Sequence, residues 1–128
     1  MELSQLMKSI VDMDRASVVI CAPDHRILYL NPAAVKSYEK WGGASLTGKC
    51  LLDCHNGKSG EQIRKVVAWF QESPKNNMIH TFYNEKQEKD VYMVALRDET
   101  GKLIGYYEKH EYRTRETAEC YDFSRSLV

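Results

Sequence analysis

Six consecutive residues, Cys54-His55-Asn56-Gly57-Lys58-Ser59, place a thiol, an imidazole, an amide and an ammonium on one short stretch of chain. Cys-His pairs can ligate soft metals or haem iron, act as nucleophiles, or move protons. Asn56-Gly57 is a tight-turn signal, because both residues tolerate positive φ. Ser59 reads as the N-cap of the helix that follows, with Gln62 completing a capping box. The chemistry open to this segment is ligation by His55 or Cys54, thiol redox, or ligand recognition with Lys58 as a charged contact. Nucleophilic catalysis is disfavoured, since adjacent residues on a turn rarely face each other and no third orienting group is evident. The plainer alternative is that His55 holds its own turn while Cys54 packs in the core.

A second polar group lies near the end of the chain. Strand alternation over residues 103–112 puts Ile104, Tyr106, Glu108, His110 and Tyr112 on one face. Leu103, Gly105, Tyr107, Lys109 and Glu111 share the other, and the last two charges turn that face to water. Glu108 and His110 then point towards the helices, where a buried carboxylate needs a partner or a proton. Tyr29 and Tyr106 are aromatic candidates for a cavity wall with hydroxyl handles. His80 is expected on an exposed sheet face with Met78, Phe82 and Asn84, and His25 in a solvent-exposed Pro-Asp-His turn.

These groups need elements to hold them. Residues 2–13 carry Leu3, Leu6, Met7, Ile10 and Val11 on one helical stripe. Residues 17–21 and 26–30 read as a strand hairpin around Pro23-Asp24-His25. Asn31-Pro32 starts a short helix as N-cap and first helical residue, and Gly42-Gly43 ends it. After Ser59, Ile63, Val66, Val67 and Phe70 recur at helical spacing until Pro74. Residues 78–84, 90–97 and 103–112 read as three more strands, with a hairpin at Asp98-Glu99-Thr100-Gly101-Lys102. Segregated strands and helices imply an α+β fold, an antiparallel sheet with helices on one face.

Composition narrows the function classes. The 128 residues fit one domain, with Lys+Arg and Asp+Glu at 18 each, so the basic excess of a nucleic-acid binder is missing. No apolar run approaches the ~20 residues that span a bilayer, and no secretory signal is evident. Cys50 and Cys54 are spaced unlike a zinc ribbon, so the four cysteines read as reduced thiols in a cytoplasmic protein. Phosphate loops, nucleophile elbows and His-Glu-x-x-His are not found, so an enzyme is not expected.

The chain resembles a PAS domain. The resemblance rests on Ile27-Leu28-Tyr29-Leu30-Asn31-Pro32-Ala33-Ala34, on Gly48-Lys49, and on Val91 to Arg97 followed by Asp98-Glu99-Thr100-Gly101-Lys102-Leu103-Ile104-Gly105. Cys54-His55-Asn56-Gly57-Lys58-Ser59 is also similar to a Cys-His-Pro-Pro-Lys-Ser motif of bacterial PAS domains, some attached to hemerythrin-like domains. Here Asn56-Gly57 replaces the two prolines, and Tyr112-Arg113-Thr114 replaces the family's Asp-Ile-Thr ending. The resemblance implies a five-stranded antiparallel sheet with a pocket between sheet and helices. It implies a sensory domain over 15–114, an N-terminal helix over 1–14 and a linker or peripheral segment over 115–128. A small ligand or cofactor would meet His55, Cys54, Lys58, Glu108, His110, Tyr106 and Tyr29. Haem is one candidate, with His55 as the possible metal ligand. The implied partner is a second copy, docked through Leu3, Leu6, Met7 and Ile10; a ligand-free dimerisation module is the other reading.

Overall fold

A computed structural model describes residues 4–124. Leu3 and the apolar pair Leu127-Val128 lie outside the described residues. The strands pair as one antiparallel five-stranded sheet in the order β2-β1-β5-β4-β3. They are β1 (Val19–Cys21), β2 (Ile27–Leu30), β3 (Met78–Asn84), β4 (Lys89–Arg97) and β5 (Leu103–Tyr112). Helix α1 (Gln5–Met13) precedes the sheet, α2 (Pro32–Ser37) follows β2, and α3 (Gly57–Glu72) precedes β3. Three short 3-10 turns, Glu39–Trp41, Gly43–Leu46 and Leu51–Cys54, link α2 to α3.

The inner face of the sheet meets α2, the last two 3-10 turns and α3. Val19, Cys21, Ile27, Leu30, Met93, Leu103 and Tyr106 from the strands pack there against Leu46, Leu51, Ile63, Val66, Val67 and Phe70. Fully burying a side chain of this kind stabilises by about 1.5–3 kcal/mol each, so the α3 stripe alone fixes that helix on the sheet. Ser73, extended before Pro74, ends α3. Arg97 then closes the C-terminal end, donating to the carbonyls of Phe70, Ser73, Asn76 and Gly101 and to Asn77 Oδ1.

Asn31 is the second fixed point, and it is fully buried. Its Oδ1 accepts from the backbone N–H of Val18 and of Ala34, both at 2.9 Å. Its Nδ2 donates to the carbonyls of Val11 at 3.0 Å, Asp14 at 3.3 Å and Ala16 at 3.0 Å. One amide thus caps α2 and ties the end of α1 and the start of β1 to it.

Several local expectations are corrected. Ser59 does not cap α3: Asn56 is the N-cap, and its Oδ1 accepts from the Ser59 N–H at 2.9 Å. Asn56 is extended at φ −69°, so Asn56-Gly57 opens the helix rather than forming a left-handed turn. Asn outcompetes Ser here because its longer side chain already satisfies the amide that a Ser59 cap would leave inside the first turn. Leu103, not Ile104, joins the core, because the β4–β5 register shifts between Leu96 and Arg97 and reverses the alternation at the strand's start. A like shift between His80 and Phe82 separates those two residues on β3. The hairpin glycine Gly101 has φ +87°, as its turn requires.

Replacing Asn31 by Ala should destabilise the domain by about 3 kcal/mol, since buried amide and carbonyl groups lose their partners together. Asn31→Asp keeps the capping oxygen but cannot donate to three carbonyls, and should be no better. Urea unfolding measures both. A mild Asn31→Asp effect would show that capping alone carries the stabilisation.

Candidate functional site

A cavity of about 570 Å³ opens between the inner face of the sheet and the helical segment. Its strand wall comes from the alternating positions of β4 and β5. The register sets Lys89 opposite Tyr112, Val91 opposite His110 and Met93 opposite Glu108. These residues share the inner face, so the apolar wall at Met93 and Tyr106 becomes polar towards the open ends of the strands. Ile63 of α3, Leu51, His55 and Tyr38 form the facing wall, and Arg15, Lys36 and Gln87 stand around it.

The polar groups are unevenly satisfied. His110 Nε2 lies 3.3 Å from Glu108 Oε1. His110 Nδ1 is buried without a hydrogen-bond partner. Native proteins rarely leave such an atom orphaned unless it serves a ligand or a water. Lys89 is nearly buried, and its Nζ sits 5.5 Å from the centre of the Tyr112 ring. Burial pulls its amine below the usual lysine range, with the Glu108 charge opposing that fall. Burial pushes the Tyr38 phenol up to about 12, with Glu108 adding to the effect, so Tyr38 stays neutral at physiological pH.

The sequence-expected residues separate into two groups. His55, Tyr106, Glu108 and His110 line the cavity together. His55 Nδ1 lies 3.0 Å from the Leu51 carbonyl, which can only accept, so Nδ1 carries the proton and Nε2 is the free lone pair of the neutral ring. The Tyr106 ring lines the cavity, but its hydroxyl is taken by His25 Nδ1 at 2.7 Å. His25 is therefore half-buried rather than solvent-exposed, held at φ +74° in the β1–β2 turn, and burial lowers its pKa.

The other three lie elsewhere. Tyr29 pairs with Ile20 and does not line the cavity, because the register shift between Ile20 and Cys21 turns it towards α1. Its hydroxyl donates to the Asp12 carboxylate of α1. Lys58 is exposed on the first turn of α3 and does not line the cavity. Cys54 is half-buried against the core cluster, outside the cavity lining. His80 points outwards, with Nε2 2.8 Å from Asp90 Oδ1. Among the described residues no group of three or more His, Cys, Asp or Glu side chains is placed to hold a metal ion. Lys89 and Arg15 went unassigned in the sequence. Lys89 was legible in principle, as it continues the alternation of Val91 and Met93 one step further.

An antiparallel sheet in this order, cupped over a part-polar cavity by a helical segment, defines a small α+β domain of the kind used in signalling proteins. Residues 11–116 match the PAS fold, and the chain belongs to that family. Solved structures agree on the fold. A C-terminal domain from Streptococcus mutans matches with a TM-score of 0.64 at 21% identity, over 86% of this chain and 85% of that one. The PAS domain of BvgS from Bordetella pertussis matches with a TM-score of 0.58 at 13% identity, over 87% and 86%. The Aer2 receptor of Vibrio cholerae, described as a dual PAS-heme oxygen sensor, matches with a TM-score of 0.55 at 19% identity, over 77% and 94%. No curated protein sequence matches the chain.

The thiols differ in a way that tests the Cys54 environment. Burial raises the Cys54 pKa, with Asp53 adding, and pushes the buried Cys21 thiol up to about 12. A raised pKa leaves less thiolate at neutral pH. Iodoacetamide should modify exposed Cys120 first, Cys54 more slowly, and Cys21 only after denaturation, as read by peptide mass spectrometry. Faster labelling at Cys54 than at Cys120 would make it an activated thiol and contradict this ordering.

Proposed function

We propose that this chain is a sensory PAS domain that binds a small molecule in the cavity and reports occupancy through α1 and the ends of the sheet. The observation that carries the reading is His110 Nδ1, buried and unpartnered on the wall of a cavity of about 570 Å³. A site of that size suits a metabolite, and its mixed walls suit a ligand with an apolar body and a polar end. Arg15, Ser17 and Val19 between α1 and β1 line the cavity, as do Ala33, Lys36 and Ser37 of α2. Asn31 bonds both segments, so a ligand that moves α2 also biases α1.

The output surface in this reading is α1. Leu6 is 80% exposed and Ile10 66%, with Met7 and Met13 beside them. A second copy covering that stripe would remove it from water, and Leu3 would extend the same stripe beyond the described residues. Among the described residues no helix is long and apolar enough to cross a membrane, and a cytoplasmic sensor remains the reading.

A haem sensor is the second reading, favoured by His55. A haem-ligating histidine typically donates its other ring N–H to a carbonyl, and His55 Nδ1 does so to Leu51. His55 would hold the iron through Nε2, and the group would supply gas or redox sensitivity. The Cys54-His55 segment of the Cys-His-x-x-Lys-Ser likeness would then matter through its histidine.

Natively purified protein, denatured and examined by mass spectrometry, should release a small molecule that Met93→Trp, filling the cavity, no longer retains. Empty protein that also binds nothing on titration would remove the sensory reading. Under the haem reading, haem-supplemented protein shows a Soret band that His55→Ala shifts or abolishes. Leu6→Glu with Ile10→Glu should turn a dimer into a monomer by sedimentation with an unchanged far-UV spectrum. A wild-type monomer at all concentrations would dismiss the dimer.

A further inference from the structure

We propose that the cavity takes a small organic acid, its carboxylate held between Lys89 and His110 and its apolar body laid against Val19, Ile63 and Met93. The inference rests on the cavity being a binding site and adds the class of ligand.

Position comes first. Lys89 stands opposite Tyr112 and His110 opposite Val91, so the ammonium and the imidazole are diagonal neighbours on one face of the β4–β5 pair. Diagonal neighbours lie roughly 7–8 Å apart, a gap that one carboxylate between two long donors can bridge. Both side chains line the cavity. His110 is 10% exposed at its side chain and Lys89 9% as a residue, so both are largely withdrawn from bulk water.

Charge comes second. A buried ammonium without a counter-ion is costly, and an aromatic face compensates it only in part. Among the described residues no carboxylate lies within ion-pair distance of Lys89; its close neighbour is the Tyr112 ring. Among the described residues Glu108 is the one acidic group lining the cavity, and it is engaged 3.3 Å from His110 Nε2. Arg15 and Lys36 add positive charge at exposed positions, Arg15 being drawn 3.6 Å from Glu116. With one bound carboxylate, Lys89 and a protonated His110 balance Glu108 and the ligand. His110 then donates from Nε2 towards Glu108 and from the orphaned Nδ1 towards the ligand.

Alternatives of other charge fit less well. A cation would meet Lys89 at short range. A neutral ligand would leave Lys89 without a counter-charge. A phosphate dianion would overshoot the balance beside Glu108 and would want backbone amides. One amide at each of the two helix starts is already used: Asn31 takes the Ala34 N–H and Asn56 the Ser59 N–H. The apolar patch of Val19, Ile63 and Met93 gives the body of an organic acid a dry surface, which inorganic anions cannot use.

The test titrates the isotope-labelled full chain with propionate, hexanoate, benzoate, phenylacetate and indole-3-acetate, each beside its primary amide, and with inorganic phosphate. Backbone amide shifts are followed by NMR. At least one acid should move residues 89–93 and 106–112 saturably and bind at least about tenfold tighter than its amide, a difference of about 1.4 kcal/mol. Lys89→Met should erase that preference, with a dispersed spectrum certifying the fold. Acid and amide binding equally, phosphate binding as tightly as the acids, or a preference that survives Lys89→Met would overturn the ligand class while the cavity remains a site. No probe shifting those residues would overturn the ligand class and the binding site together. The acid–amide comparison uses the wild-type chain and stands even if the variant fails to fold.

Discussion

Asn31 reaches five backbone groups with one side chain, its two amide hydrogens shared among three carbonyls, and the relative placement of α1, β1 and α2 depends on it. Its bonds to Val18, Ala16 and Ala34 are buried, so leaving those unmade would cost a desolvation penalty that water offsets poorly. The arrangement is therefore close to all-or-none. Either the three segments sit where the amide can reach them, or several backbone groups are stranded at once. The cavity inherits this constraint. Ser17 and Val19 lie just beyond the carbonyls and amide that Asn31 holds, and Ala33, Lys36 and Ser37 belong to the helix it caps.

The sheet resolves a competition between stability and chemistry along its length. Towards the hairpin at residues 98–102 the inner face is apolar, and α3 packs on it with Val66, Val67 and Phe70 buried. Arg97 consolidates that end by closing the carbonyls that α3 leaves open. Towards Lys89 and Tyr112 the same face carries an ammonium, an imidazole and a carboxylate in place of aliphatic groups. Hydrophobic residues of similar volume would make a tighter core there. Keeping Lys89 and His110 under cover has a stability cost, and a strand end with partly satisfied charges is where a ligand can add most.

Periodicity made most of the fold legible. The α3 stripe, the alternation of Glu108 and His110, and the Asn31-Pro32 helix start all rest on local rules that the packing did not override. What escaped reading depended on register or distance. Tyr29 and Ile104 changed face because one-residue shifts in the β1–β2 and β4–β5 ladders reverse the period-2 pattern, and nothing in the composition marks those shifts. Asn31 was legible as a cap, but its bonds to Val11, Asp14 and Ala16 span 15 to 20 residues. His25 looked like a turn residue, and it is one. Its bond to Tyr106 crosses 81 residues and shows only in three dimensions. Lys89 was lost by starting β4 one residue late, at Asp90, which left a wall residue outside the strand.

The two ends of the domain converge on the cavity, which would give the proposed ligand a physical route to the proposed output. Arg15 leads in from α1, and Tyr112 leads out of β5 to Arg113. Arg113 is anchored on the outer face, its Nε donating to Asp90 Oδ2 at 2.6 Å and its other nitrogen to the Tyr92 hydroxyl at 2.9 Å. Asp90 and Lys89 are neighbours on β4, one facing out and one facing in. A rearrangement that pulls Lys89 towards a ligand therefore acts on the residue next to the Arg113 anchor. The coupling needs no long wire of contacts: the strand that holds the charge in the cavity is the strand that clamps the departing chain. At the entry side, Asp12 takes the Tyr29 hydroxyl while Val11 takes the Asn31 amide, so α1 is held from two positions at the end of β2. Shifting β2 or α2 by a fraction of a turn would strain one of those bonds before the other. The exposed stripe of Leu6 and Ile10 would then turn relative to the sheet, which is the kind of motion a dimer contact can read.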